Sequence, residues 1–134
     1  MRIRLSAAFL LLGLAGAAAQ APAPGWQATP WADSVMLQSE LRFDLESPDG
    51  TGVSDQQWAR FLTDTILTRF PDGLTVLNAE SVGKAGTAGA RLVMIVHPNT
   101  PDAATKLGEI RAAFAQRFGG AKVFHLDFPV RVTN

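Results

Sequence analysis

Between Val35 and Leu45, hydrophobic and polar positions alternate. Val35, Leu37, Leu41, Phe43 and Leu45 share one parity with Ser39, and Met36, Gln38, Glu40, Arg42 and Asp44 take the other. A period of two is the mark of a strand with one buried face. Ser47-Pro48-Asp49-Gly50 then makes a turn, with proline setting φ and glycine accepting a positive one. The period changes after Ser54-Asp55-Gln56-Gln57, which has the spacing of a capping box. Trp58, Phe61, Leu62 and Ile66 follow on one face at helical spacing, with Thr65 at its edge. Pro71 disfavours helical geometry in the residue before it, so this helix is predicted to stop by Phe70. Pro71-Asp72-Gly73 forms a second tight turn.

Leu74 to Glu80 is predicted as a second strand, and Gly83 to Gly89 as a loose connection. Arg91 to Val96 is a third strand, apolar at every position from Leu92, which predicts cover on both faces or use of one by a partner. Thr100-Pro101-Asp102 opens a second helix with a cap, a proline in the first turn and an acid near the helix N-terminus. Leu107, Ile110, Phe114 and Phe118 form its buried stripe, and Gly119-Gly120 closes it. In the last strand, Lys122 to Val132, the row Phe124, Leu126, Phe128, Val130, Val132 is assigned to one face. Val123, His125, Asp127 and Arg131 take the other.

The order β-α-β-β-α-β predicts an α+β, ferredoxin-like plait: a four-stranded antiparallel sheet with both helices on one face and the first strand between the third and fourth. On this reading Glu40, Arg42 and Asp44 lie beside His125, Asp127 and Arg131 on the face away from the helices. Glu40, Arg42, His125, Asp127 and Arg131 are therefore the candidate binding residues.

The segment before the domain changes the picture of where it works. Arg2 and Arg4 precede an apolar run from Leu5 to Leu14, and Ala17-Ala18-Ala19 supplies the small residues of a cleavage site. These zones predict a signal peptide over residues 1–19, with cleavage after Ala19 or Ala21. The apolar run is about half the ~20 residues that a membrane span needs. Residues 20–33 are a flexible Ala/Pro-rich lead, although Trp26 and Trp31 suit a segment that folds back on the body. One domain, 34–134, remains. The protein is expected to be exported, periplasmic or secreted, with no stable membrane anchor once the leader is removed.

Charge and chemistry narrow the function. Loss of the leader leaves 10 Lys and Arg against 12 Asp and Glu, a formal charge of −2. That balance argues against nucleic acid as a partner. With no cysteine in the chain, disulfides, thiol nucleophiles and Cys-ligated metals are excluded. His97 and His125 are the only histidines. No metal site or cofactor is expected from them: His97 is read as a strand end meeting water, and His125 as an outer-face residue. Gly83 to Gly89 lacks the Lys-Ser/Thr ending of a phosphate loop, and no serine sits in a Gly-x-Ser-x-Gly elbow. The uncovered sheet face, with Met36, Val123 and the second apolar row of the third strand, predicts an interaction surface, most simply for a homodimer. The reading is a non-enzymatic binding module. The alternative is a small periplasmic enzyme or metabolite binder with a polar cleft near Arg42, His125 and Asp127.

Phe70-Pro71-Asp72-Gly73-Leu74-Thr75-Val76, His97-Pro98-Asn99-Thr100-Pro101, Ile110-Arg111-Ala112-Ala113-Phe114 and Arg117-Phe118-Gly119 together resemble the bacterial family known only as domain of unknown function 3574. Pro48-Asp49-Gly50, Val53-Ser54 and Trp58 agree, and the resemblance runs from about Leu41 to Val132. It implies a small exported bacterial protein and brings no activity and no catalytic residue. Where the family has Tyr-Phe-Gly in its first strand, this chain has Leu41-Arg42-Phe43-Asp44. The family's Gly-x-Trp and Arg-Glu signatures are missing from the Glu80 to Ala90 stretch.

Overall fold

The computed structural model describes residues 35–133. The segments read as a signal peptide and an Ala/Pro-rich lead lie outside the described residues. Within them the elements are β1 (Met36–Asp44), α1 (Asp55–Phe61), a π-helical turn over Leu62–Ile66, β2 (Thr75–Gly83), β3 (Gly86–Pro98), α2 (Pro101–Arg117) and β4 (Val123–Val130). The strands form one antiparallel sheet in the order β2-β3-β1-β4. This is the α+β, ferredoxin-like arrangement, with β1 between β3 and β4.

Local chemistry sets the helix ends. Ser54 Oγ accepts from the Gln57 amide while the Gln57 side chain accepts from the Ser54 amide, so both halves of the capping box are made. Thr100 caps α2 through the Ala103 amide. At the other end of α2 the Gly120 amide donates to Ala115 O at 2.8 Å, closing the helix as the glycine pair predicts. Gly119, at φ 59°, has a second constraint: a Cβ built there would lie 2.1 Å from Asp49 Oδ2.

The first helix departs from expectation at its C-terminal half. It widens into a π turn, with the Leu67 amide donating to Leu62 O at 2.9 Å. On a regular α-helix, residues five apart point about 140° from each other. The wider turn brings Phe61 and Ile66 back to one side, and both are fully buried while Leu62 is only partly covered. Phe43 of β1 lies at the centre of the core, with ring centroids 5.1 Å from Trp58, 5.9 Å from Phe61 and 4.9 Å from Phe114.

The second departure is the hairpin. Gly83 to Gly89 is paired rather than loose: β2 and β3 stay in register out to Gly83 opposite Gly86, joined through Lys84-Ala85. The third departure is the facing of β4. Val123, His125 and Asp127 pair with Phe43, Leu41 and Ser39, while Phe124, Leu126 and Phe128 pair with Arg42, Glu40 and Gln38. Directly paired residues of neighbouring strands share a sheet face. Since Leu41 and Phe43 are buried under the helices, His125, Asp127 and Val123 belong to the helix side, and the Phe124 row to the open side. This reverses the assignment made from the apolar row alone. At its C-terminal end β4, an edge strand, sets Pro129 opposite Leu37.

Candidate functional site

The reversed facing of β4 separates the candidate binding residues. Glu40 and Arg42 stand on the open face. His125 and Asp127 stand on the helix side. Arg131 lies beyond the end of β4, where with Val35, Met36, Pro129, Val130 and Val132 it lines a shallow cleft. The single polar cleft expected near Arg42, His125 and Asp127 is therefore not formed, because the sheet lies between its members. The shared face drawn for Glu40, Arg42 and Asp44 with His125, Asp127 and Arg131 falls with it. Two constellations replace it, one on each side of the sheet.

On the helix side a string of polar groups crosses three strands. His97 Nδ1 lies 2.8 Å from its neighbour's carbonyl, Pro98 O. A carbonyl only accepts, so Nδ1 carries a hydrogen. His97 Nε2 is 2.7 Å from Ser39 Oγ, the Ser39 hydroxyl also meets Asp127 Oδ1, and His125 Nε2 is 2.8 Å from that same oxygen. All four contacts are hydrogen bonds at once when His97 holds both ring hydrogens and Asp127 none. The serine then donates to the carboxylate and accepts from the imidazole. Burial raises the Asp127 carboxyl, but hydrogen bonds from His125 and Ser39, with the positive charge of His125 and His97, outweigh it. The group is held below the ordinary aspartate value. The ring of Phe70 covers His97, with centroids 5.8 Å apart.

His97 is thus buried, at 3% exposure, and does not end a strand in water as expected. Ser39 and His97 were missed as members of any site. The available clue was Ser39 itself, the one polar residue in the buried row of β1, which required a partner. The string contains the residue types of a nucleophilic triad in the wrong order. A triad places the histidine between serine and carboxylate, whereas here the serine bridges the other two. Ser39 also has no exposure, so a substrate carbonyl has no approach to its oxygen. The arrangement satisfies and orients buried polar groups. Among the described residues no group of three His, Cys, Asp or Glu side chains could hold a metal ion.

The open face is mixed. A central polar row on β1, Gln38, Glu40, Arg42 and Asp44, runs between apolar rows. Phe124, Leu126 and Phe128 of β4 are 52%, 41% and 41% exposed, and Val96 of β3 and Leu77 of β2 are 48% and 46% exposed. Leu92 and Met94 are partly covered. Arg42 lies over the Phe124 ring at 5.2 Å, with Nε 3.4 Å from Asp44 Oδ1, an ionic contact without hydrogen-bond geometry. Glu40 accepts from Gln38 Nε2 at 3.0 Å, and among the described residues no cation pairs with it.

The profile of the family described as "Protein of unknown function (DUF3574)" matches residues 38–133, which contain both constellations. The chain belongs to this family. Membership agrees with the motifs around Pro71-Asp72-Gly73 and His97-Pro98, and carries no activity with it. No curated protein matches. Among solved structures, the chain is similar to a phage SAM lyase in complex with S-methyl-5'-thioadenosine, at 12% identity and a TM-score of 0.49, covering 72% of this chain and 82% of that one. A de novo designed protein, Foldit4, is similar at 10% identity and a TM-score of 0.45, over 72% and 99% of the two chains. A second de novo designed protein, with a ferredoxin fold, is similar at 12% identity and a TM-score of 0.35, over 75% and 90%. Among the described residues no helix is long and apolar enough to cross a membrane.

Proposed function

We propose that this DUF3574 protein is an exported binding module that associates with a second copy of itself through the open sheet face. The carrying observation is the register of β4, which turns Phe124, Leu126 and Phe128 outward beside Val96 and Leu77. An apolar patch of this kind on one face marks an interaction surface. Full burial of one such side chain stabilises an association by about 1.5–3 kcal/mol before the entropy of pairing is set against it. Four strands ~4.8 Å apart and about eight residues long present ~500 Å² per copy, measured flat. Two copies then bury on the order of 1,000 Å², the lower limit for a specific interface. Export is supported by the order of charged, apolar and small-residue zones over residues 1–19.

Sedimentation velocity on the purified protein, from low micromolar to sub-millimolar concentration, tests the association. A concentration-dependent monomer–dimer equilibrium is expected. A monomer at every concentration overturns it. The export half is checked by the N-terminal mass of the protein recovered outside the cytoplasm, expected to begin at Gln20 or Pro22.

A further inference from the structure

Taking that self-pairing as given, we infer its geometry: the two sheets stack about a two-fold axis that crosses β1 at Leu41, and Glu40 of each copy pairs with Arg42 of the other. A symmetric dimer presents the same patch twice, so each contact between unlike positions occurs in duplicate. The choice of axis therefore decides which side chains of the central row meet.

If the axis ran along β1, each residue would face its own copy. Glu40 would oppose Glu40 and Arg42 would oppose Arg42, and like charges placed directly opposite are repelled. If the axis runs across the strands, β1 faces β1 antiparallel and the outcome depends on its level. Centred at Arg42, it sets Arg42 against Arg42 and Glu40 against Asp44. Centred at Glu40, it sets Glu40 against Glu40. Centred at Leu41, it sets Glu40 against Arg42 twice and Gln38 against Asp44 twice.

The apolar rows agree with the Leu41 level. In the sheet register, Leu41 stands beside Val93 of β3 and His125 of β4. A two-fold axis at that level lays Leu92 on Met94 of the second copy and Phe124 on Leu126 of the second copy, apolar on apolar. The free valences agree as well. Among the described residues Glu40 is paired with the neutral Gln38 amide and no cation, and the Arg42 contact with Asp44 uses Nε, which leaves the far end of the guanidinium for a carboxylate. Long side chains of opposite sign can meet across sheets stacked ~10 Å apart.

Charge reversal tests this. In Glu40→Arg the two reciprocal contacts become Arg on Arg, and in Arg42→Glu they become Glu on Glu. Each is expected to weaken dimerisation by at least about tenfold. The double variant Glu40→Arg/Arg42→Glu restores both pairs and is expected to return close to wild-type affinity in sedimentation equilibrium. A wild-type dimer that is indifferent to Glu40→Arg, or a double variant no tighter than the single ones, overturns this geometry and leaves self-pairing standing. A monomeric wild type removes both. Arg42 also stacks on Phe124, so Arg42→Glu could lose folded protein. In that event Glu40→Arg against Glu40→Gln decides: repulsion makes the arginine variant the weaker dimer, and equal weakening overturns the pairing.

Discussion

Ser39 and His97 meet across the two central strands, with the serine oxygen 2.7 Å from the ring nitrogen, from positions offset by two residues in the register. Their contact is one link in a string that reaches Asp127 and His125 on β4. Removing the middle link leaves buried His97 Nε2 without its bond and takes one partner from Asp127 Oδ1, which keeps His125. Ser39→Ala is expected to cost about 1–3 kcal/mol, because the buried His97 loses at Nε2 a partner that water does not readily replace. Urea denaturation of both proteins measures it; a difference within a few tenths of a kcal/mol would mean the string contributes nothing to stability.

The same string gives an acid dependence with a defined sign. Asp127 is depressed in the folded protein, so its contribution is fully present above the ordinary aspartate value of 3.8 and is lost as pH falls through the lower folded value. Asp127→Asn removes that contribution. The Tm gap between wild type and variant should therefore be wide at pH 5 and should narrow below pH 4. Asp49 is lowered too, chiefly by its hydrogen bond with Ser47. It is unchanged in the variant, so the gap isolates Asp127.

Gly119 joins the end of α2 to the Ser47–Thr51 turn. Its φ of 59° costs a β-carbon roughly 1–2 kcal/mol, and that carbon would press into the Asp49 carboxylate. Gly119→Ala is expected to destabilise by at least that amount. In a double-mutant cycle with Asp49→Ala the two losses should be less than additive, since removing the carboxylate also removes the clash. Strict additivity of the chemical-denaturation values would show that the turn does not touch the helix end in solution.

Phe128 and Leu126 are surface residues of the monomer. Leu126→Glu should therefore leave Tm at low protein concentration within about a degree or two while abolishing the proposed dimer, as read by light scattering. A large loss of Tm with association unchanged would place the β4 row in the fold rather than in an interface.

Wherever one parity or one stripe was unambiguously apolar, sequence and structure agree. That holds for the topology, both helix caps, the Leu107–Ile110–Phe114 stripe and the inward face of β1; the first helix's stripe holds at Trp58, Phe61 and Ile66 but not at Leu62, which is only partly covered. Agreement ends at β4, where both parities have a reason to face inward. Phe124, Leu126 and Phe128 are apolar, but His125 and Asp127 find Ser39 and His97 on the helix side. Those partners come from strands 58 and 88 residues distant from one another or from β4, beyond any local pattern. The length of the β2–β3 hairpin was hidden for another reason. Its Gly, Ala and Thr residues have weak strand preference and are held by pairing with the opposite strand.

Pro129 gives the end of β4 a further meaning. A sheet can grow by recruiting a foreign strand along an unpaired border, which is the route to fibrils and runaway polymers. Proline has no amide hydrogen to donate, so it spoils one rung of such a template at this border. The β4 side of the sheet thus discourages open-ended extension, and the contact proposed for the broad side of the same sheet is one that closes on itself.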